Sequence, residues 1–184
     1  MEPLLIFLAT GFEEIEAVTT IDILRRGGLN LKTISVTGEK SVEGAHGIPV
    51  VADELFENVD FSDAKMLILP GGMPGASNLN NHNGLKKLLS DFRAKNKPIA
   101  AICAAPLVLG NLALLDGKKA TCYPGYENQL GKAVHTGEPV VVDGNIITAK
   151  GPGFTIPFGL SIVELFKGKA VADEVAKGMS PINA

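Results

Sequence analysis

The sequence predicts an α/β fold in which a mostly parallel sheet carries helices on both faces. Short runs of consecutive apolar residues recur along the 184-residue chain, and stretches with helical spacing separate them. Such continuous runs are typical of strands that are buried on both faces, as in parallel sheets. Glycine and proline, with 21 and 11 residues, make up about 17% of the chain against a usual ~12%, which indicates many tight turns rather than a helical bundle.

The first half of the chain begins with the apolar run 4–9, which Gly11 ends. A helix follows and closes at Gly27. Its expected buried stripe consists of four apolar residues at helical spacing: Ile15, Val18, Ile21 and Leu24. The pattern then predicts a strand, a hairpin, a second buried strand and an amphipathic helix at 31–36, 44–52, 66–69 and 85–92.

The second half of the chain starts with the predicted strand 98–102, which leads directly into Cys103. A helix is expected over 106–115, because Pro106 suits the first turn of a helix. The dipeptide Asp143-Gly144 between two apolar runs indicates a hairpin. The remaining predicted elements are a short strand at 119–122 and helices over 156–166 and 169–179.

Length and charge narrow the class of protein. A chain of 184 residues predicts one domain, 1–184. The net charge of −3 argues against a nucleic-acid partner, since such proteins carry a basic face. No apolar stretch approaches the ~20 residues of a membrane span, and no signal-peptide pattern is present. We therefore expect a cytoplasmic protein without a membrane partner, whose two cysteines are thiols, with Cys122 a small buried hydrophobe.

In open parallel sheets the ligand lies beyond the carboxyl ends of the strands. That rule selects the loops 10–13, 70–75 and 103–106, together with those that follow residues 122 and 149. Catalytic residues are therefore expected in these loops.

Cys103 is the strongest candidate, because it stands between a buried strand and a helix start. Its small neighbours Ala101 and Ala105 suit a nucleophile elbow, a sharp turn that exposes the nucleophile. A helix N-terminus presents unpaired N–H groups, which predicts a lowered cysteine pKa. The alternative is a packing cysteine, since free cysteines are often simply buried.

The glycine-rich loop 70–75 is the second candidate. Its Gly72 N–H and the Ala104 N–H could together form an oxyanion hole. The lysine of a phosphate-binding loop is missing, and a plain glycine turn is the alternative.

Three glutamates open the first predicted helix. Glu13 and Glu14 are interpreted as complementing the helix dipole. Glu16 is expected to point toward the site, where burial would raise its pKa and let a protonated carboxyl donate a hydrogen bond or move protons. No histidine is an obvious triad partner, and no pair of His or Cys residues has metal-ligand spacing, so we expect no metal site.

Four segments resemble the ThiJ/PfpI superfamily, and their order and spacing are closest to its Parkinsonism-associated deglycase branch. They are Gly11-Phe12-Glu13-Glu14-Ile15-Glu16, Leu69-Pro70-Gly71-Gly72, Ala101-Ile102-Cys103-Ala104-Ala105-Pro106 and Gly151-Pro152-Gly153. The resemblance covers essentially the whole chain.

This resemblance implies a flavodoxin-like three-layer sandwich of the class I glutamine amidotransferase-like type, and a homodimer. It also implies an easily oxidised cysteine at Cys103, a partner carboxyl at Glu16 and backbone donors at Gly72 and Ala104. The activities that it implies are cofactor-free conversion of methylglyoxal or glyoxal to a hydroxy acid, repair of early glycation adducts, and redox-dependent chaperone action.

The sequence also departs from the family pattern. Tyr123 stands where some members have a histidine, and a tyrosine is a poor base near pH 7. Ala104 stands where the protease-like branch has a histidine, which disfavours peptidase activity. His46 and Lys150 replace arginines and lose bidentate geometry. Tyr123, Gly71 and His46 are expected to support the site.

Two functions follow as hypotheses. The first is an enzyme in which Cys103 attacks a small dicarbonyl and Glu16 moves the protons. The second is a redox sensor or chaperone whose Cys103 is oxidised to a sulfinate. A cysteine peptidase or amidotransferase-like hydrolase needs a Cys–His pair that the sequence does not assign.

Overall fold

The computed structural model describes residues 2–179 and has a seven-stranded central sheet with helices on both sides. The strands are β1 (Leu4–Leu8), β2 (Leu31–Ser35), β3 (Ser41–Glu43), β4 (Pro49–Val51), β5 (Glu54–Leu55), β6 (Met66–Leu69), β7 (Ile99–Ile102), β8 (Lys119–Ala120), β9 (Val134–His135), β10 (Val140–Asp143) and β11 (Ile146–Ala149). The helices are α1 (Glu14–Arg26), α2 (Gly75–Asn81), α3 (Asn83–Ala94), α4 (Pro106–Asn111), α5 (Thr155–Lys167) and α6 (Lys169–Gly178).

The central sheet has the order β10-β11-β7-β6-β1-β2-β5. Every neighbouring pair is parallel except the β10–β11 hairpin. Helix α5 packs against both α1 and α6, and α2 contacts both α3 and α4. The α/β class and the mostly parallel sheet predicted from the sequence are confirmed. The single-domain prediction for 1–184 remains a prediction, because residue 1 and residues 180–184 lie outside the described chain.

Strands β1, β6, β7 and β11 are buried along their whole length, which explains why their residues are apolar apart from Thr148 in β11. Two hairpins form: β3 pairs with β4, and β10 pairs with β11 around Gly144. The first hairpin begins at Ser41, before the predicted range 44–52. The predicted helix over 106–115 ends earlier, at Asn111, and Ala113 adopts a left-handed φ of 57°. Helix α2 was missed, because its first residues, Gly75, Ala76, Ser77 and Asn78, form a pattern typical of a loop.

The buried face of α1 differs from the predicted stripe. Ile15 and Val18 are 56% and 46% exposed. The buried face instead carries smaller and polar residues, with two apolar residues near its C-terminal end: Glu14, Glu16, Ala17, Thr20, Ile23 and Leu24. The prediction is confirmed for Leu24 and wrong for Ile15 and Val18, whereas Ile21 is partly buried. Helix α1 packs closely on α5, where Ile23 meets Gly159, and small side chains allow that approach.

A second, smaller apolar cluster joins the β3–β4 hairpin to α1 and the end of β1. It contains Leu8, Phe12, Ala17, Val42 and Ala52. This cluster holds the hairpin beside the N-terminus of α1, where the candidate site begins. Within residues 2–179, no helix combines the length and the hydropathy that crossing a bilayer would require.

Candidate active site

The loops after β1, β6 and β7 meet at the carboxyl edge of the sheet, because these three strands are neighbours in the order β7-β6-β1. The Glu13 N–H donates to the Gly71 carbonyl at 3.0 Å, and the Gly75 N–H donates to the Gly11 carbonyl at 3.1 Å. The first strand's loop and the glycine-rich loop are therefore bonded into one surface. Three of the loops that the sequence selected lie here.

Cys103 occupies the turn between β7 and α4 with a φ of 65°, in the left-handed region that side chains rarely adopt. Its N–H donates to the Ala149 carbonyl at 2.9 Å, and its carbonyl accepts from the Tyr123 N–H at 2.8 Å. These two bonds hold a strained residue in place, as is typical of functional sites. The turn has the sharp strand-to-helix geometry expected for a nucleophile elbow.

Glu16 reaches this turn from the buried face of α1 and is fully buried. Its Oε2 accepts a hydrogen bond from the Gly71 N–H at 2.8 Å. Its Oε1 has no hydrogen-bond partner among the described residues. Burial raises the pKa of Glu16 to about 7, although the Cys103 thiol and the Gly71 N–H both act to lower it. The predicted rise in the pKa of Glu16 is confirmed.

The lowered pKa predicted for Cys103 is wrong. Burial, the negative charge of Glu16 and the hydrogen bond to that carboxylate raise the pKa of the Cys103 thiol to about 12. The Gly72 and Ala104 N–H groups act in the opposite direction but are outweighed. Two of the three causes that raise the pKa require an ionised Glu16, so thiol and carboxyl form one coupled acid pair. The Cys103 thiolate is less strongly disfavoured when Glu16 holds the proton than when Glu16 is ionised.

Two glycines allow the close contact between Cys103, after β7, and Glu16, on α1. A Cβ on Gly71 would lie 2.6 Å from the Cys103 Cβ and 2.7 Å from the Glu16 Oε2. Gly72 has a φ of 88°, and a Cβ there would collide with the backbone of Glu13. Glycine therefore lets the backbone N–H of residue 71 reach Glu16 and that of residue 72 reach the thiol.

A cavity of about 210 Å³ opens above the cysteine. It is lined by Glu13, Gly72, Met73, Cys103, Ala104, Tyr123, Tyr126 and Pro152. Cys103 is only 8% exposed, whereas Tyr123 is 45% exposed and forms part of the cavity wall. The structure thus brings together five residues that the sequence singled out: Cys103, Glu16, Gly71, Gly72 and Ala104. Tyr123 joins them at the rim.

His46 does not line this cavity. Its Nδ1 lies 2.8 Å from the Glu14 Oε2 and 3.8 Å from the Glu13 Oε2. Of these two glutamates, Glu13 lines the cavity. The hydrogen bond to Glu14 and the nearby negative charges raise the pKa of the exposed His46 imidazole.

Glu14 has a different role from the one that the sequence suggested. It is buried, and its Oε1 accepts hydrogen bonds from the backbone N–H groups of His46 and Ile48 at 2.7 and 3.4 Å. Burial acts to raise the pKa of Glu14, but these bonds and the His46 side chain lower it. Glu14 therefore fastens the β3–β4 hairpin to α1 rather than only complementing the helix dipole.

Sequence spacing also missed a group of potential metal ligands. Glu13, Glu14 and His46 offer ligand atoms that all lie within 4.8 Å of one another. His46 is 32 residues from Glu14 in the chain, so only the hairpin brings them together. Both oxygens of Glu14 are already engaged by His46, which explains this grouping without an ion.

The model of the DJ-1/PfpI family matches residues 3–165. The chain belongs to the DJ-1/PfpI family. Among curated relatives, the protein dj-1beta of Drosophila melanogaster is 34% identical over 177 residues, which cover 95% of both chains. Protein DJ-1 homolog B of Arabidopsis thaliana is 42% identical over 94% of this chain but only 40% of its own length. The chain therefore spans less than half of that plant relative.

Solved structures of the DJ-1/PfpI family agree with the fold. DJ-1 of Toxoplasma gondii, described as oxidized, has a TM-score of 0.93 and 36% identity, with 97% of this chain and 98% of that chain covered. Drosophila melanogaster DJ-1beta has a TM-score of 0.92 and 34% identity, with 98% of both chains covered. The flavodoxin-like architecture implied by the resemblance is confirmed.

Proposed function

We propose that this protein is a cofactor-independent glyoxalase and deglycase that acts on methylglyoxal-type dicarbonyls or their early adducts. The observation that carries the proposal is the buried acid pair at the base of a cavity: the Cys103 thiol beside a Glu16 carboxyl whose pKa is raised to about 7. A carboxyl with a pKa near the working pH can both accept and return a proton.

In the first step, Cys103 sulfur bonds to the aldehyde carbon while the thiol proton passes to Glu16. Transfer to the carboxyl removes the charge that disfavours the thiolate. The aldehyde oxygen becomes an oxyanion, which the Gly72 and Ala104 N–H groups are placed to stabilise because they already point at the sulfur. The oxyanion then takes the proton from Glu16, which gives a hemithioacetal and returns Glu16 to the carboxylate.

In the second step, Glu16 as a carboxylate removes the proton from the former aldehyde carbon and delivers it to the adjacent carbon. The hydroxyl proton of the hemithioacetal passes to the ketone oxygen, so the former aldehyde carbon is oxidised to a thioester and the neighbouring ketone carbon is reduced to an alcohol. Water then hydrolyses the thioester and regenerates the thiol. Methylglyoxal and one water give lactate, and no external oxidant or reductant is required. In an early adduct, a hemiaminal or hemithioacetal, the Cys103 sulfur would replace the amine or thiol at that carbon: the C–N or C–S bond breaks, and the leaving group takes the thiol proton.

Lactate formation from methylglyoxal tests this proposal. We expect the wild-type protein to form lactate and Cys103→Ser to lose at least about a thousandfold in rate, as when a catalytic nucleophile is removed. Cys122→Ala is the matched control, because Cys122 is the other buried thiol and does not line the cavity. Equal rates in wild type and Cys103→Ser, or no lactate from either, would contradict the proposal.

Redox sensing, with or without chaperone action, is the second candidate function. The same N–H groups that face the Cys103 sulfur could stabilise a sulfinate, and a relative at 36% identity is described as oxidized.

We propose that the protein forms a homodimer, because α1 and the neighbouring hairpin expose the apolar side chains of Ile15, Val18, Ile48 and Val51.

Native mass spectrometry after mild peroxide treatment tests both points. We expect a dimer of the 19.3 kDa chain in which two oxygen atoms are added at Cys103 before any methionine is oxidised. Met73 is an internal competitor, since it lines the same cavity and is 47% exposed. Oxidation of Met73 before Cys103 would contradict redox sensing, and a monomer would contradict the dimer.

A hydrolase of the cysteine peptidase or amidotransferase type is less well supported. The residues that line the cavity include no histidine, and the position after the nucleophile is Ala104.

Both cysteines are free thiols, which supports a reducing compartment such as the cytoplasm.

A further inference from the structure

A second cavity adjoins the one above Cys103. It has a volume of about 220 Å³ and is lined by Tyr123, Pro124, Lys150, Gly151, Pro152, Gly153 and Phe154. Tyr123 and Pro152 line both cavities, so the second one is a lateral extension of the first. We name it the aryl cleft.

The walls of the aryl cleft are apolar and flat. They consist of two aromatic rings, two prolines, the bare backbone of two glycines and the methylene stem of Lys150. A Cβ at Gly151 would lie 3.0 Å from the Tyr123 ring, so glycine at this position lets the ring lie close against the backbone. Aromatic rings and proline favour planar apolar groups, which stack or pack edge-on against them.

The combined volume of the two cavities suits substrates that are larger than the smallest dicarbonyls. Neither cavity alone reaches the roughly 300–1,000 Å³ of ordinary small-molecule sites, whereas the two together do. Glyoxal and methylglyoxal carry only a hydrogen or a methyl group beside the reacting carbonyls. The first cavity would hold them, and the aryl cleft would then have no role in their turnover.

Building on the proposed function, we infer that the aryl cleft binds the substituent of a larger 2-oxoaldehyde, and that flat aromatic substituents are preferred. The reaction is the same for any such substrate: R–CO–CHO and one water give R–CH(OH)–COOH, with oxidation at one carbon and reduction at its neighbour. Tyr123 lines both cavities, so it would contact the substrate where the substituent joins the reacting carbonyls.

Phe154 is the residue to change, because it lines the aryl cleft and not the Cys103 cavity. We expect the wild-type kcat/KM for phenylglyoxal to exceed that for methylglyoxal. Phe154→Ala should lower the phenylglyoxal value by about tenfold or more, as expected when an apolar pocket loses its contacts, and leave the methylglyoxal value within about twofold. Comparing the ratio between variants cancels the different intrinsic reactivity of the two aldehydes.

Two further variants serve as controls. Phe166→Ala removes a partly buried phenylalanine that lines neither cavity, so the ratio of the two kcat/KM values should stay within about twofold of wild type. Phe154→Leu should restore part of the ratio that Phe154→Ala loses. An equal fall for both substrates, or an unchanged ratio in Phe154→Ala, would overturn the inference about the aryl cleft.

A binding measurement separates this inference from the proposed function. Mandelate, the product expected from phenylglyoxal, is titrated into the Cys103→Ser protein and followed by NMR, with lactate for comparison. Mandelate that binds more tightly than lactate, and loses that advantage in Cys103→Ser/Phe154→Ala, supports the aryl cleft even if methylglyoxal gives no lactate. Lactate formation without any preference for aryl ligands in either assay would overturn the aryl cleft and leave the proposed function intact.

Discussion

Glu16→Gln is expected to remove most of the lactate-forming activity and, at the same time, to make the protein more stable above pH 7. Glutamine has the shape of glutamate, and its side-chain oxygen can still accept the Gly71 N–H hydrogen bond that Oε2 accepts now at 2.8 Å. It cannot take up or return a proton, however. Loss of a positioned general acid–base group costs about 10²–10⁴ in rate.

The stability effect follows from the raised pKa. Glu16 has a pKa of about 7 in the folded protein against an ordinary 4.5, so folding takes up a proton between these values. The stabilisation is fully present below pH 4.5 and is lost as the pH rises through 7. A shift of this size amounts to at most about 3 kcal/mol, and glutamine has no such dependence.

Urea unfolding at several pH values from 5 to 8, with lactate assays on the same samples, measures both effects. Wild type should lose stability as the pH rises, and Glu16→Gln should keep only the small part of this slope that the raised pKa of the exposed His46 contributes. Glu39→Gln, at an exposed glutamate, should behave like wild type. An unchanged pH dependence in Glu16→Gln would show that Glu16 does not set it, and full activity in this variant would remove Glu16 from the mechanism.

Gly72→Ala is expected to have the largest effect on stability. Residue 72 has a φ of 88°, and its Cβ would collide with the Glu13 backbone nitrogen and lie 2.5 Å from the Gly11 carbonyl oxygen. The added methyl group cannot be accommodated by a side-chain movement, because the obstacle is backbone. We expect a loss of more than about 4 kcal/mol, or no folded protein at all.

Gly38→Ala separates the two causes of this loss. Gly38 has nearly the same φ, 84°, but nothing lies within 4 Å of the Cβ that would be added. This variant therefore carries only the conformational penalty, about 1–2 kcal/mol. Similar losses of stability in the two variants would mean that the close approach of the loops after β1 and β6 contributes little.

Much of the central fold could be predicted from the sequence. Strands β1, β6 and β7 are buried on both faces, so each reads as an unbroken apolar run. The hairpin at Asp143-Gly144 was visible because its turn needs a positive φ, and Gly144 has a φ of 63°. These features depend on neighbouring residues alone.

Much of the site could be predicted for a similar reason. Strand ends, glycine loops and helix starts are local signals, and the topology of parallel sheets places them at one edge. Cys103, Gly72, Ala104 and Glu16 were selected in this way. The resemblance to the ThiJ/PfpI superfamily added their expected roles.

The buried face of α1 could not be predicted. Ile15 and Val18 have the spacing of a core stripe, yet they are exposed and the fully buried Glu16 and Thr20 face inward. The identity of the buried face depends on which element packs against the helix, and α5 lies more than a hundred residues further along the chain. Helical periodicity carries no information about such a partner.

The sequence by itself determined the α/β class, the positions of the main strands along the chain and the residues at the carboxyl ends of these strands, because these features depend on local patterns of burial and turn formation. Only the tertiary structure decided the acid–base character of the site. The pKa of Cys103 is raised rather than lowered because burial and the charge of Glu16, 87 residues away in the chain, outweigh the local N–H groups. Electrostatic free energies depend on distance in space and on burial, and both are set when remote segments pack together.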